Sequence, residues 1–244
     1  MNAIEIQDLT KRFGSKTAVN GLTLEIPQGE LFALLGVNGA GKTTTIRMLC
    51  GLVPPDGGDA LLLGKSIVAE PGTAKRFTAV SPQETAVAPN LTVRENLELM
   101  AGIYGFDRAA ARRKAEAIMP QLGLDEVAKQ RAKTLSGGWQ RRLSIAMALI
   151  AEPKILFLDE PTLGLDVLAR RELWAVAKKL KGRITMVLTT HYMEEAEALA
   201  DRIGVMSKGS MKAVGTAAEL IARTGAANFE DAFVALANEG RELL

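Results

Sequence analysis

Polar and apolar positions alternate in some parts of this chain and run together in others. Unbroken apolar stretches at 31–35 (LFALL), 155–158 (ILFL) and 184–189 (ITMVLT) predict strands covered on both faces, as parallel strands are. Alternating stretches at 3–9 and 18–26 predict half-buried strands. Lys11–Gly14 reads as the turn between them, and Pro27 and Gly29 end the second. Pro54–Gly58 is a further turn, followed by short strands at 60–63 and 77–81. The period then changes. Thr92-Val93-Arg94-Glu95 is a capping box opening a helix to about Tyr104, and Asp107 caps a second through about Leu122. Ser136 precedes a third over about 139–151. Residues 84–150 therefore read as a helical insertion in a sheet-rich chain, and no internal repeat is visible. Helices are expected at 44–52, 167–180, 192–200, 217–223 and 229–237, and strands at 203–206 and 211–214 meeting at Lys208-Gly209. In the last helix Phe229, Ala232, Phe233 and Leu236 form one apolar stripe, expected to pack on the chain's own core.

Composition narrows the class. The chain has 244 residues, 48% hydrophobic and 24% charged, ordinary for a globular protein with a normal core. A net charge of +2 with interspersed signs is no footprint for nucleic acid, and none is expected as a partner. The single cysteine, Cys50, cannot form an internal disulfide and reads as a small buried hydrophobe. The start carries no leader pattern, and no apolar run approaches the ~18 residues a membrane span needs. A cytoplasmic chain is expected; if it works at a membrane, another chain supplies the membrane part.

The chemistry starts at Gly36–Thr44, GVNGAGKTT, which matches the phosphate-loop pattern G-x-x-x-x-G-K-[ST] between a buried strand and a helix. Glycines let backbone N–H groups approach phosphate oxygens, and the helix N-terminus adds partial positive charge. Lys42 can reach the β- and γ-phosphates, and the Thr43 hydroxyl can ligate Mg²⁺. A plain glycine turn would explain the loop alone. A dinucleotide loop would not explain Lys42-Thr43-Thr44.

Three more features lie just after strands: Gln83, Asp159-Glu160 and His191. If those strands are parallel, all meet the phosphate loop on one sheet edge, where such sheets bind ligands. Asp159 would then hold Mg²⁺ and Glu160 would orient and deprotonate water. Gln83 would contact metal and water, and His191 the γ-phosphate. Singly, each has an ordinary reading: a solvated turn, a surface glutamine, a structural histidine. Leu135-Ser136-Gly137-Gly138 opens a helix and could form a second anion site, or be an ordinary Ser cap.

Together these residues resemble the ATP-binding cassette (ABC) ATPases over nearly the whole chain. The loop is similar to their Walker A, ILFLDE to Walker B and LSGGWQ to the signature motif. Gln83 resembles the Q-loop glutamine, Asp166 the D-loop aspartate, His191 the switch histidine, and Phe13 the aromatic that stacks on adenine. The resemblance implies an α/β fold: a P-loop NTPase, RecA-like core with an N-terminal antiparallel β subdomain (1–83 and 151–220), an inserted α-helical subdomain (84–150) and a C-terminal helical part (221–244). It implies a head-to-tail homodimer or ATPase pair. There Gly36, Asn38, Gly39, Ala40, Gly41, Lys42, Thr43 and Thr44 of one subunit hold ATP, and Ser136, Gly137, Gly138 and Asp166 of the other close over it. Mg²⁺ falls to Thr43, Gln83 and Asp159, and hydrolysis to Glu160, His191 and Gln83. Val37, Trp139 and Phe13 depart from the commonest residues; only Trp139 puts a contact in question, one made across the dimer.

Stretches such as SPQETAVAPNLTVRENLELMAGIYG are similar to ATPase subunits of ABC-2-type multidrug exporters. That implies a separate polytopic permease docked near Gln83–Tyr104, with Thr85–Leu91 receiving a short helix, and a place on the cytoplasmic face of the membrane. The alternative is a soluble cassette ATPase acting on ribosomes or chromosomes. It would carry a second cassette or a long coiled coil, and neither is present in this sequence. A nucleotide kinase leaves Leu135–Gly138 and His191 unexplained.

Overall fold

The structure, a computed structural model, describes residues 1–238; the last residues of the expected 221–244 unit lie outside the described range. Two sheets carry the fold. The first is antiparallel, in the order β2-β1-β4-β5, built from β1 (Asn2–Phe13), β2 (Lys16–Pro27), β4 (Gly57–Leu62) and β5 (Lys65–Ser66). The second has the order β10-β9-β3-β8-β7-β6. Its strands β3 (Leu31–Leu35), β6 (Thr78–Ser81), β7 (Ile155–Asp159), β8 (Thr185–Thr190) and β9 (Arg202–Ser207) pair in parallel, and β10 (Ser210–Gly215) closes one edge antiparallel.

The apolar strands are buried throughout because both faces of the second sheet are covered. Side chains alternate along them with the strand period. Ile155 and Phe157 join the core beneath the antiparallel sheet and α1 (Lys42–Leu49). Leu156 and Leu158 join the opposite core with α3 (Val93–Ile103), α4 (Arg108–Leu122), α5 (Gly137–Leu149) and α6 (Val167–Leu180). Each such fully buried Leu or Phe contributes about 1.5–3 kcal/mol relative to exposure. A third core places Ala33, Leu35, Ile203 and Val205 under α8 (Ala217–Thr224) and α9 (Phe229–Asn238), with Ala196 of α7 (Met193–Leu199). Phe229, Ala232, Phe233 and Leu236 are buried in it, so the C-terminal stripe packs on its own chain.

The helix caps fall where the sequence puts them. Thr92 and Glu95 form a reciprocal capping box, and the Asp107 carboxylate accepts from the Ala110 N–H. Three local expectations change. Lys11–Gly14 is not the first turn: β1 continues to Phe13, which pairs with Lys16 across Gly14-Ser15. Register shifts between Ile6 and Leu9 and again before Lys11 break the alternation there. Lys11 is buried, and its ammonium bonds the Pro54 carbonyl (2.7 Å) and the Asp56 carboxylate (3.0 Å), tying β1 to the Pro54–Gly57 turn. The strand after that turn begins at Gly57 rather than Ala60. Finally, β5 and the short helix α2 (Pro71–Lys75) occupy a stretch whose residue pattern predicts no element.

Candidate functional site

Strands β3, β6, β7 and β8 are parallel neighbours or linked through parallel neighbours, so their carboxyl ends share one edge. A cavity of about 430 Å³ opens there. Asn38, Gly39, Ala40, Gly41, Lys42, Thr43 and Thr44 line it, together with Gln83, Glu160 and His191. Lys16, Ala18 and Leu163 complete the lining. The four strand-end features therefore meet, as their positions after strands predict.

The loop geometry depends on glycine at two positions. Gly41 precedes α1 with φ +107°, and a Cβ there would run into the Ala18 carbonyl. A Cβ on Gly36 would strike the Met206 carbonyl of β9. The first bond into the helix runs from the Thr45 N–H to the Gly41 carbonyl (2.9 Å). The N–H groups of Lys42, Thr43 and Thr44 thus have no acceptor within the helix and face the cavity end.

Charge is concentrated in a buried chain of contacts. Lys42 is buried and donates to the carbonyls of Gly36 (2.7 Å) and Val37 (3.3 Å), with its ammonium 3.5 Å from Glu160 Oε1. Burial pushes the Lys42 ammonium below the usual lysine range, against the attraction of Glu160 and Asp159. The other Glu160 oxygen lies 3.1 Å from His191 Nδ1. Asp159 Oδ1 accepts from Thr43 Oγ1 (3.1 Å) and Thr189 Oγ1 (2.6 Å). Two oxygen donors side by side, with a glutamine in the same cavity, suit a hard cation such as Mg²⁺.

Glu160 adopts φ +45°, left-handed backbone that costs a non-glycine residue about 1–2 kcal/mol. It is held there from both sides. Its N–H donates to the Thr189 carbonyl and Thr189 Oγ1, both at 3.1 Å. Its carbonyl accepts from Arg141 Nη2 at 2.7 Å. Arg141 lies on α5 and is 3% exposed. Its Nε donates to the Pro161 carbonyl (2.6 Å) and Nη2 also to the Asp159 carbonyl (2.8 Å). Nη1 donates to the carbonyls of Pro82 and Gln83, the latter at 3.3 Å. Burial pushes this guanidinium down to about 10, with Asp159, Glu195 and Glu160 opposing the shift.

Sequence reasoning missed both Thr189 and Arg141. Arg141 had a signal: it stands three, four and seven positions before Ser144, Ile145 and Ala148, all buried, so a cation sits on the core face of its helix.

Other expected residues lie apart from the cavity. Phe13 is 52% exposed with the Lys11 ammonium 5.5 Å from its ring centre; it does not line the cavity, but its strand partner Lys16 does. Ser136 and Gly137 are exposed at the start of α5, and the Ser136 side chain makes no cap bond. Gly138 packs near Ala169, and a Cβ at Gly137 would lie 3.6 Å from Leu165. Asp166 caps α6, accepting from the N–H groups of Leu168 and Ala169 (both 2.9 Å). Among the described residues, no helix is long and apolar enough to cross a membrane.

Comparison with known proteins gives one family. The model of the ABC transporter family matches residues 19–163. The chain is 41% identical to the linearmycin resistance ATP-binding protein LnrL of Bacillus subtilis, covering 91% of this chain and 72% of that one. It is 43% identical to the daunorubicin/doxorubicin resistance ATP-binding protein DrrA of Streptomyces peucetius, covering 91% and 68%. A solved ATP-binding subunit of an ABC transporter superposes with a TM-score of 0.83 at 30% identity, covering 96% and 99%. The cbiO1 subunit from Clostridium perfringens superposes with 0.82 at 26%, covering 91% of each chain. The two sheets and the cavity at their strand ends are thus a P-loop NTPase fold, and the chain belongs to the ABC transporter family as an ATP-binding, ATP-hydrolysing subunit that energises transport.

Proposed function

We propose that the cavity holds ATP with its phosphates on the loop and that Glu160 is the base that activates water. The observation that carries this is the contact chain Lys42–Glu160–His191 inside a cavity walled by the phosphate loop. Lys42 donates to loop carbonyls here; phosphate oxygens offer its ammonium better acceptors, and the turn from Glu160 toward phosphate frees that carboxylate for water. His191 fixes the Glu160 carboxylate and reaches the γ-phosphate side of the cavity, where negative charge develops during transfer. Phe13 stacks on adenine beside Lys16. Thr43 and Asp159 would hold Mg²⁺, with Gln83 in the same cavity, and the ion would supply neutralisation of phosphate charge.

The exposed start of α5 carries the remaining part. Ser136, Gly137 and Gly138, with Asp166, complete the site of a second ATPase subunit in a head-to-tail pair. Residues 84–150 then form the part that a separate, polytopic membrane permease contacts near Gln83–Tyr104. Leu99, Ile103 and Tyr104 are exposed there, which suits an apolar partner surface. The chain would sit on the cytoplasmic face through that permease. Relatives named for resistance to linearmycin and to daunorubicin/doxorubicin support export of hydrophobic or amphipathic compounds as the cargo class. The same relatives favour transport over a soluble role on ribosomes or chromosomes.

The direct test is Glu160→Gln. ATP binding should persist while turnover falls by about 100-fold or more, as for loss of a general base. Full turnover in that variant would remove Glu160 from the mechanism.

A further inference from the structure

The Arg141 guanidinium has five N–H donors in a rigid planar fork. The structure spends them on five backbone carbonyls and on no carboxylate. Those carbonyls belong to two separate segments: Pro82 and Gln83 after β6, and Asp159, Glu160 and Pro161 at and just beyond the end of β7. Three consecutive carbonyls of the second segment converge on one cation, which fixes the left-handed turn at Glu160 and so the direction its side chain takes. Nothing about packing alone requires a cation here; an apolar side chain would avoid the cost of burying a charge.

The geometry points to Arg141 as a positioning residue for hydrolysis: it holds Gln83 and Glu160 in working register and ties both to the helix that begins at Ser136. Arg141 lies little more than one turn from Ser136 on the same element, so displacement of α5 moves the point on which both loops hang. Closure of Ser136–Gly138 over a nucleotide would thereby be felt at the water-activating residue. This rests on the reading of Glu160 and Gln83 given above.

Arg141→Lys keeps the charge but gathers its three donors on one nitrogen in place of the wide planar fork, and Arg141→Gln removes the charge. The full chain and both variants are to be purified and compared with Glu160→Gln for MgATP affinity by fluorescent-nucleotide displacement, for thermal melting, and for ATPase kcat and KM. The expected result for the Arg141 variants is cooperative melting, ATP affinity within about threefold of the parent and kcat lowered about 100-fold, the effect of a small misplacement of reacting groups. Arg141→Lys should be the less impaired, because it can still serve one of the two loops. Parent-level kcat in a folded Arg141→Lys, beside an inactive Glu160→Gln, would overturn the Arg141 proposal alone. Loss of kcat only in proportion to lost folded protein or lost ATP affinity would also overturn it, by making Arg141 a stability residue, and so would failure of both variants to fold. Turnover in Glu160→Gln would overturn the site reading on which it rests.

Discussion

Two helices of this protein start at glycine-rich loops, and their surroundings could hardly differ more. The start of α1 lies at the carboxyl edge of the parallel sheet, with Lys42 buried among Glu160, Asp159 and the loop carbonyls. The start of α5 is exposed, its Ser136 side chain makes no cap bond, and its near neighbours are the apolar groups of Leu165 and Ala169. Both offer free N–H groups. Of the two, the first has a buried ammonium, a carboxylate 3.5 Å from it and a place in the lining of a cavity of about 430 Å³. A helix N-terminus gains binding chemistry when the rest of the fold brings charge to it, and of these two starts the first is where that happens.

Substitutions can break or sharpen this contrast. The largest effect should come from Lys42→Ala, which removes the buried lysine that faces Glu160 and Asp159 at the start of α1. Nucleotide affinity should weaken by about 100-fold or more, the scale for losing one partner of a buried charged contact. A fluorescent-nucleotide titration with parent-like affinity would deprive the α1 site of its charge advantage. Ser136→Glu comes next. It places a carboxylate where the partner's phosphates would approach, and like charges repel by several kcal/mol. ATP affinity of the isolated chain should hold within about twofold, because the α1 cavity is untouched, while turnover should fall about 100-fold by the same repulsion. Equal turnover would mean that the start of α5 takes no part. The smallest effect is expected for Phe13→Ala: loss of one stacking face, about 1 kcal/mol, should weaken ATP binding about fivefold with kcat unchanged. An unchanged affinity would leave adenine to other residues.

The contrast also explains what could be read from the chain alone. The phosphate loop and Asp159-Glu160 are legible because each is an abrupt change of residue type at the end of an apolar run, and parallel pairing converts such ends into one edge. The capping box of Thr92 and Glu95 is legible because its chemistry is local. Arg141 is another matter: its partners are backbone carbonyls, which every residue has, so no spacing announces them. Thr189 looks like any β-branched strand residue until its hydroxyl is found 2.6 Å from Asp159. The run of β1 past Leu9 was hidden by register shifts, and by a lysine, Lys11, whose burial depends on an aspartate far along the chain.

The central claim is that one copy of the chain holds half of a hydrolytic site. The measurement that meets it most directly is sedimentation velocity of Glu160→Gln with MgATP and without nucleotide. The account predicts a monomer without nucleotide, a dimer with MgATP, and loss of that dimer when Ser136→Glu is added. A Glu160→Gln chain that binds ATP and stays monomeric at all protein concentrations, or a dimer indifferent to Ser136→Glu, would contradict it.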